Sequence, residues 1–401
     1  MNLDWNTLIT GVAALLPLLL LITSSYLALE CVLALFGLRP RPQPEAAIPS
    51  DLTLAVLVPA HNEASGIQRT LSSIQAQLRS QDRLFVVADN CTDDTAALAH
   101  QMGSRVIERH NPNQRGKGYA LDFGLQQLAA DPPDIVVLVD ADCDLHPGCL
   151  GFLAQQASQT GCPVQATYLM ETPANGTVKD GISAFAFKVK NLVRPLGLFY
   201  MGQPCLLTGT GIALPWSAAT AVSVASGHIV EDMKLGLDLA LAGYPPRFCQ
   251  PARVISRLPS SETSATTQRT RWEHGHLIIF RDYAVRLFRQ GIRHRQVGLI
   301  ALGLELSILP ISLQVVTTLA LVALTTLLGL AGGEWLPFYL AGLAFLCLVF
   351  GLILAWLGYG RTDVKPRELL QIPAYMLTKV PLYSKFMVGP ENTWVRTERD
   401  S

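Results

Sequence analysis

The sequence predicts an α/β domain with a mainly parallel sheet, joined to about three transmembrane helices and to amphipathic helices at the membrane interface. Three observations carry this expectation. Half of the 401 residues are apolar and only 15% are charged, a low share for a chain surrounded by water. The apolar residues concentrate in runs over 8–38, 297–330 and 336–359, each longer than the roughly 20 residues that carry an α-helix across about 30 Å of hydrocarbon. Between the first run and the second, short Val, Leu and Ile stretches alternate with helical ones, the pattern of a parallel sheet buried on both faces.

Taken in order, the 8–38 run is expected to stay as an anchor. No basic segment precedes it, and Arg39 and Arg41 follow it, the reverse of a cleaved leader. Pro40 to Ser50 is rich in Pro and Ala and reads as a linker. Within the domain expected over 51–276, the stretches Leu54 to Val58, Leu84 to Ala88 and Ile135 to Val139 read as strands. Helices are expected over Ala64 to Gln77, over Asp93 to Met102 with Thr92 as cap, over Gly118 to Ala129 and over Met233 to Ala242. Residues 277–296 mix apolar residues with arginines and read as one or two interfacial helices. A similar stretch opens the 365–401 tail, with Pro373, Lys379, Pro381 and Lys385.

Positive charge predicts the orientation, because short cytoplasmic flanks collect Lys and Arg. Arg39 and Arg41, then Arg286, Arg289, Arg293 and Arg295, then Arg361, Lys365 and Arg367 border the three runs, while the flanks near Asp4 and Glu334 lack basic residues. The expected topology has the N-terminus outside, the 51–295 portion inside, a short outer turn near Gly332 to Trp335, and the C-terminus inside. A formal net charge of zero argues against a nucleic-acid partner. The eight cysteines form no CxxC pair or Cys/His metal spacing and read as reduced packing residues.

Ligands of such sheets bind at the carboxyl ends of the strands, and here all three ends are polar: His61-Asn62-Glu63, Asp89 to Asp94, and Asp140-Ala141-Asp142-Cys143-Asp144. Carboxylates spaced as Asp-x-Asp present oxygen ligands to a hard divalent cation, although the same residues also serve Asx turns and caps. Together with Arg115-Gly116-Lys117-Gly118, Glu231-Asp232 and Gln268-x-x-Arg271-Trp272, these clusters resemble family-2 glycosyltransferases, in the membrane branch of cellulose, chitin, hyaluronan and poly-N-acetylglucosamine synthases. The resemblance runs from about Leu54 to Trp272 with six motifs in order.

That resemblance implies a GT-A type domain that inverts the anomeric carbon while transferring a sugar from a UDP-sugar. It implies that Asp140 and Asp142 form the DxD pair, with Asp142 contacting Mg²⁺ or Mn²⁺, and that Asp144 is either a third carboxylate or a turn residue. Asp89 is implied to read the uracil or ribose, and Glu63 to touch the nucleotide or to cap the following helix. Lys117 lies in a glycine-flanked loop suited to phosphate. Asp232 is the implied base for the acceptor hydroxyl, with Glu231 beside it. Gln268 and Arg271 share a helix face, and the planar fork of Arg suits a diphosphate. Trp272 either stacks on the acceptor sugar or anchors at the membrane surface, and Thr210 sits in a loop resembling the family's acceptor side.

The Gln-x-x-Arg-Trp motif leans towards a growing polysaccharide as the acceptor, and single addition to a membrane lipid is the alternative, since lipid glucosyltransferases carry a similar motif. Three spans are few for a complete polymer channel, so a polymerase would need self-association or an export partner. The third expectation is an inactive scaffold or transport subunit, against which the full set of motifs argues. Glu30 and Glu305 are the main ionisable residues inside the apolar runs, fewer than a transporter usually keeps at membrane depth. Glu305 marks where an interfacial helix could give way to the span proper.

Overall fold

The computed structural model describes residues 5–39, 47–172, 176–258, 262–377, 379, 382 and 383. Asp4, Pro40, Arg41, Pro381 and Lys385, named above, lie outside the described residues. The chain opens with α1 (Trp5–Ala34), extended by a 3₁₀ turn to Leu38. The α/β unit follows as β1 (Leu54–Ala60), α2 (Ile67–Gln75), β2 (Arg83–Asp89), α3 (Thr95–Gln101), β3 (Arg105–Arg109), α4 (Lys117–Leu128), β4 (Ile135–Leu138) and β5 (Asp144–Leu145). Next come α5 (Cys149–Thr160), β6 (Val164–Glu171), α6 (Val178–Lys188), a π turn over Val189–Val193, and α7 (Arg194–Tyr200). The unit closes with β7 (Ile212–Pro215), α8 (Trp216–Ala219), α9 (Glu231–Leu241) and β8 (Arg247–Arg257).

The strands form one sheet in the order β3-β2-β1-β4-β7-β6-β8-β5. β1 pairs in parallel with β2 and β4, and β2 with β3; β7 runs antiparallel between β4 and β6, and β8 is parallel to β6. Strand periodicity decides which helix each residue meets. In β1, Val56 and Val58 pack towards α2 and α5, while Ala55 and Leu57 pack towards α4 and α9. Leu57 is fully buried, which contributes about 1.5–3 kcal/mol. Both faces are therefore apolar, and polar residues are left for the strand ends.

The helix expected to start at Asp93, with Thr92 as its cap, begins instead at Thr95. The Asp93 carboxylate accepts from the Thr95 backbone N–H at 3.1 Å, while the Thr92 N–H donates to Asn62 Oδ1 at 2.7 Å, so Thr92 ties two strand ends together rather than capping a helix. The helix expected from Met233 begins at Glu231, which brings both acidic residues into its first turn.

Among the described residues, three helices are long and apolar enough to cross a membrane, over Thr10–Leu38, Ile311–Leu330 and Leu336–Gly360. The 297–330 run is not one helix. It divides into α11 (Val297–Ser307) and α12 (Ile311–Leu330), because Ile308 is extended and Pro310 has no N–H to continue a helix. Eleven residues reach only about 16 Å, so α11 cannot cross alone. α13 (Leu336–Ala355) packs along α1 so closely that a Cβ on Gly351 would stand 2.9 Å from Ala28 Cα, the small-residue contact that brings membrane helices together. The 277–296 stretch is not a separate unit either, since α10 runs unbroken over Glu262–Arg293 and carries Gln268, Arg271 and Trp272 as well. α14 (Ile372–Leu377) lies beyond α13.

A buried ion cluster joins the α/β unit to these helices. Arg194, at the start of α7, stands with Nη2 2.8 Å from Glu305 of α11 and Nε 3.5 Å from Glu30 of α1. All three side chains are buried. The guanidinium also donates to the Glu305 carbonyl at 2.9 Å.

Candidate active site

The carboxyl ends of β1, β2 and β4, the starts of α4 and α9, and the first turns of α10 converge on one cleft of about 1440 Å³, open to solvent. It is lined by Glu63, Asp89, Lys117, Asp140, Asp142, Glu231, Asp232, Gln268, Arg271 and Trp272. Residues from Glu63 to Trp272 thus meet because the parallel strands end on the same edge.

At the second strand end, Asp89 is buried and accepts from Arg109 Nη1 at 2.6 Å and from Asn90 Nδ2 at 3.0 Å. Asn90 adopts a left-handed conformation, φ 52°, which asparagine tolerates. Arg109 was not singled out in the sequence. Its place at the end of β3, beside β2, makes it the counter-ion that orients Asp89. The Glu63 N–H donates to Thr95 Oγ1 at 2.7 Å and its carbonyl accepts from Gly66 and Ile67, so its backbone starts α2 while the residue lines the cleft.

Asp140 follows β4 and is fixed from behind. Thr210, wholly buried, accepts the Asp140 N–H through Oγ1 at 3.0 Å. Thr210 is absent from the cleft wall. Sequence placed it on the acceptor side, whereas the fold makes it a support for Asp140, and Gly209 forms the surface instead. Gly209 has φ 93°, and a Cβ there would point at Asp232 Oδ2, 3.6 Å away. A ligand atom from each of Asp140, Asp142 and Cys143 lies within 4.8 Å of the others, and the Cys143 thiol donates to Asp142 at 3.5 Å. A hard cation prefers the two carboxylates, and the buried thiol aligns one of them. Asp144 is removed from this group: it starts β5 and forms an ion pair with Arg69 of α2.

Lys117 is the centre of charge. Its ammonium pairs with Asp140, donates to the Gly209 carbonyl at 2.7 Å and lies 3.9 Å from Glu231 Oε1. Burial opposes its charge, but Asp140 and Glu231 outweigh that and hold it above the ordinary lysine range. Burial raises Glu231 to about 7; Lys117 pulls it down and Asp232 pushes it up. Two adjacent carboxylates at one helix start, one of them poised near neutrality, suit proton transfer from a hydroxyl.

Gln268, Arg271 and Trp272 project from the first turns of α10, and Trp272 packs on Phe187 with ring centroids 5.6 Å apart. Past these two rings the cleft continues into a second, apolar chamber. Phe187, Lys190, Gln268 and Trp272 line both spaces. The chamber ends at Ile308, Pro310, Ile311 and Ser312, where α11 gives way to α12. Lys190 gave no signal in the sequence beyond being a lysine in an apolar stretch.

Comparison with known proteins follows the same outline. The family model described as glycosyltransferase like family 2 matches residues 49–275. Glucosyl-3-phosphoglycerate synthase of Mycobacterium tuberculosis is 38% identical over 102 residues, 24% of this chain and 31% of that one. Hexosyltransferase Agl6 of low-salt glycan biosynthesis in Haloferax volcanii is 34% identical over 93 residues, 23% of this chain and 21% of that one. The chain thus spans under a third of the length of these two relatives. Probable glycosyltransferase YdaM of Bacillus subtilis is 23% identical over 263 residues, 59% and 58% of the two chains. Among solved structures, mannosyltransferase PcManGT from Pyrobaculum calidifontis, in complex with GDP-Man and Mn²⁺, superposes with a TM-score of 0.55 at 17% identity, covering 92% of this chain and all of that one. The fold is that of GT-A glycosyltransferases, and the chain belongs to glycosyltransferase-like family 2.

Proposed function

We propose that this glycosyltransferase transfers a sugar with inversion from a UDP-sugar to a lipid acceptor at the cytoplasmic face of a bacterial-type inner membrane. The observation that carries the acceptor assignment is the continuity of the acidic cleft with an apolar chamber ending at the start of a candidate span. UDP as the donor nucleotide is what the family resemblance implies, and the GDP-mannose bound by the Pyrobaculum enzyme is the competing donor. The cytoplasmic placement rests on the arginines and lysines that border the apolar runs.

Asp140 and Asp142 are the residues that would hold Mg²⁺ or Mn²⁺, which supplies positive charge to a diphosphate leaving group. Asp89, held by Arg109, faces the nucleoside. Arg271 and Gln268 approach the donor from α10. Asp232 accepts the proton of the acceptor hydroxyl as its oxygen attacks the anomeric carbon and the bond to the diphosphate breaks, with UDP leaving on the electron pair. Glu231 and Lys117 set the charge around that base.

A second reading, elongation of a β-linked polysaccharide, is favoured by Gln268-x-x-Arg271-Trp272, which resembles the motif of polymer synthases. The test is turnover of a panel of UDP-sugars and GDP-mannose by the purified chain in native lipid, with and without Mg²⁺ or Mn²⁺, followed by sizing of the product. Metal-dependent release of UDP with one sugar added to a lipid supports the first reading. A long water-extractable product selects the second, and absence of turnover with every donor rejects both.

A further inference from the structure

Most of the charged groups around the apolar chamber have charged or polar partners among the described residues. Lys379 pairs with Glu273 at 2.7 Å, and Arg194 is engaged by Glu305 and Glu30. Arg269 donates to Ser183 and Tyr375, each at 3.0 Å. His276 is neutral, because burial lowers it to about 3 and its Nε2 bonds the Leu306 carbonyl at 3.0 Å. Lys190 differs. Among the described residues it has neither a hydrogen-bond nor an ion-pair partner, and it stands where the chamber meets the acidic cleft. Burial lowers its pKa from the usual lysine range, against the attraction of Asp232, Glu305 and Glu273. Leaving such a cation unpaired is costly.

The geometry points to a phosphate-bearing lipid as the acceptor: its acyl chain occupies the chamber between Ala186, Phe187, Leu258 and Ile311, its phosphate pairs with Lys190, and its hydroxyl reaches Asp232. This rests on the glycosyltransferase reading above and adds the acceptor's charge. The spacing of parts suits it. Apolar residues from Ile311 to Phe187 line the chamber, Lys190 stands where it meets the cleft, and Asp140, Asp142, Glu231 and Asp232 line the cleft beyond. The hydroxyl oxygen forms the bond to the anomeric carbon, the bond from that carbon to the donor phosphate breaks, the proton passes to Asp232, and the lipid's own phosphate is unchanged.

The test uses the full chain in nanodiscs of phosphatidylcholine containing a small fraction of phosphatidylglycerol with a photoactivatable diazirine on one acyl chain. The control carries the same diazirine on phosphatidylcholine. Mapping of labelled peptides is expected to show residues 183–187 and 308–312 labelled several-fold more by the anionic probe. Lys190→Met should bring that labelling down to the control level, and Ser312→Phe, which fills the far end, should abolish it. Calorimetric binding of UDP with Mn²⁺ should persist in both variants. Equal labelling by the two probes, labelling confined to α12 and α13, or unchanged labelling in Lys190→Met would overturn the inference while leaving the donor reading intact. Loss of UDP binding in Lys190→Met would assign that cation to the donor diphosphate and overturn it as well. Failure of the unaltered chain to bind UDP would instead reject the UDP-donor reading, and this inference with it.

Discussion

Lys117 stands 3.9 Å from Glu231 across the cleft while its ammonium also pairs with Asp140. One cation therefore links the strand end that would hold metal to the helix start that carries the base. Removing it has a signed consequence. Lys117 lowers the Glu231 pKa, so in Lys117→Gln the carboxyl rises above about 7 and the acidic limb of the kcat/KM profile moves to higher pH. A fall in turnover of about 10- to 100-fold at pH 7 is expected. An unmoved limb would show that Glu231 does not govern the profile.

The unaltered enzyme should itself gain activity as pH rises through about 7, with Glu231→Gln flattening that limb. Stability runs in the opposite direction. A carboxyl whose pKa is raised on folding binds its proton more tightly in the folded state, so its contribution is fully present below the ordinary glutamate pKa and is lost as pH rises through about 7. Thermal melts at pH 5 and pH 8 should show Glu231→Gln gaining relative to the parent at the higher pH.

Asp232→Asn keeps the shape of the α9 start and removes the proton acceptor. Turnover should fall by about 10²–10⁴-fold, with UDP binding within a factor of about three. A variant that retains turnover would remove Asp232 from the mechanism.

Asp142→Asn tests the metal. Cys143 and Asp140 remain in place, but one of the two hard ligands is lost. Titration of Mn²⁺ against activity should show a midpoint raised at least about tenfold. An unchanged midpoint would place the ion elsewhere.

The ion cluster of Arg194, Glu30 and Glu305 gives an asymmetric prediction. Arg194→Met leaves two buried carboxylates facing each other and should cost about 3–5 kcal/mol. Glu30→Gln leaves the 2.8 Å pair with Glu305 intact and should cost far less. Thermal unfolding in detergent compares the two, and equal losses would contradict the cluster's assigned geometry.

Sequence alone determined the three apolar runs, the alternation of strands with helices, and the clusters at the ends of β1, β2 and β4. These are local properties: residue type and period suffice when a strand is buried on both faces and its polar residues have only its end to occupy. The same clusters carried most of the candidate site, from Glu63 to Trp272. Only the tertiary structure could decide what depends on neighbours far along the chain. Ile308 and Pro310 divide what reads as one long helix, a break masked by uniform hydrophobicity. Asp144 is drawn to Arg69, Thr210 moves behind Asp140, and Arg109 becomes the partner of Asp89 because β3 lies beside β2. Charge matching is a property of space rather than of order, so Lys190 stood out only once Lys379, Arg194 and Arg269 around the chamber had found their partners.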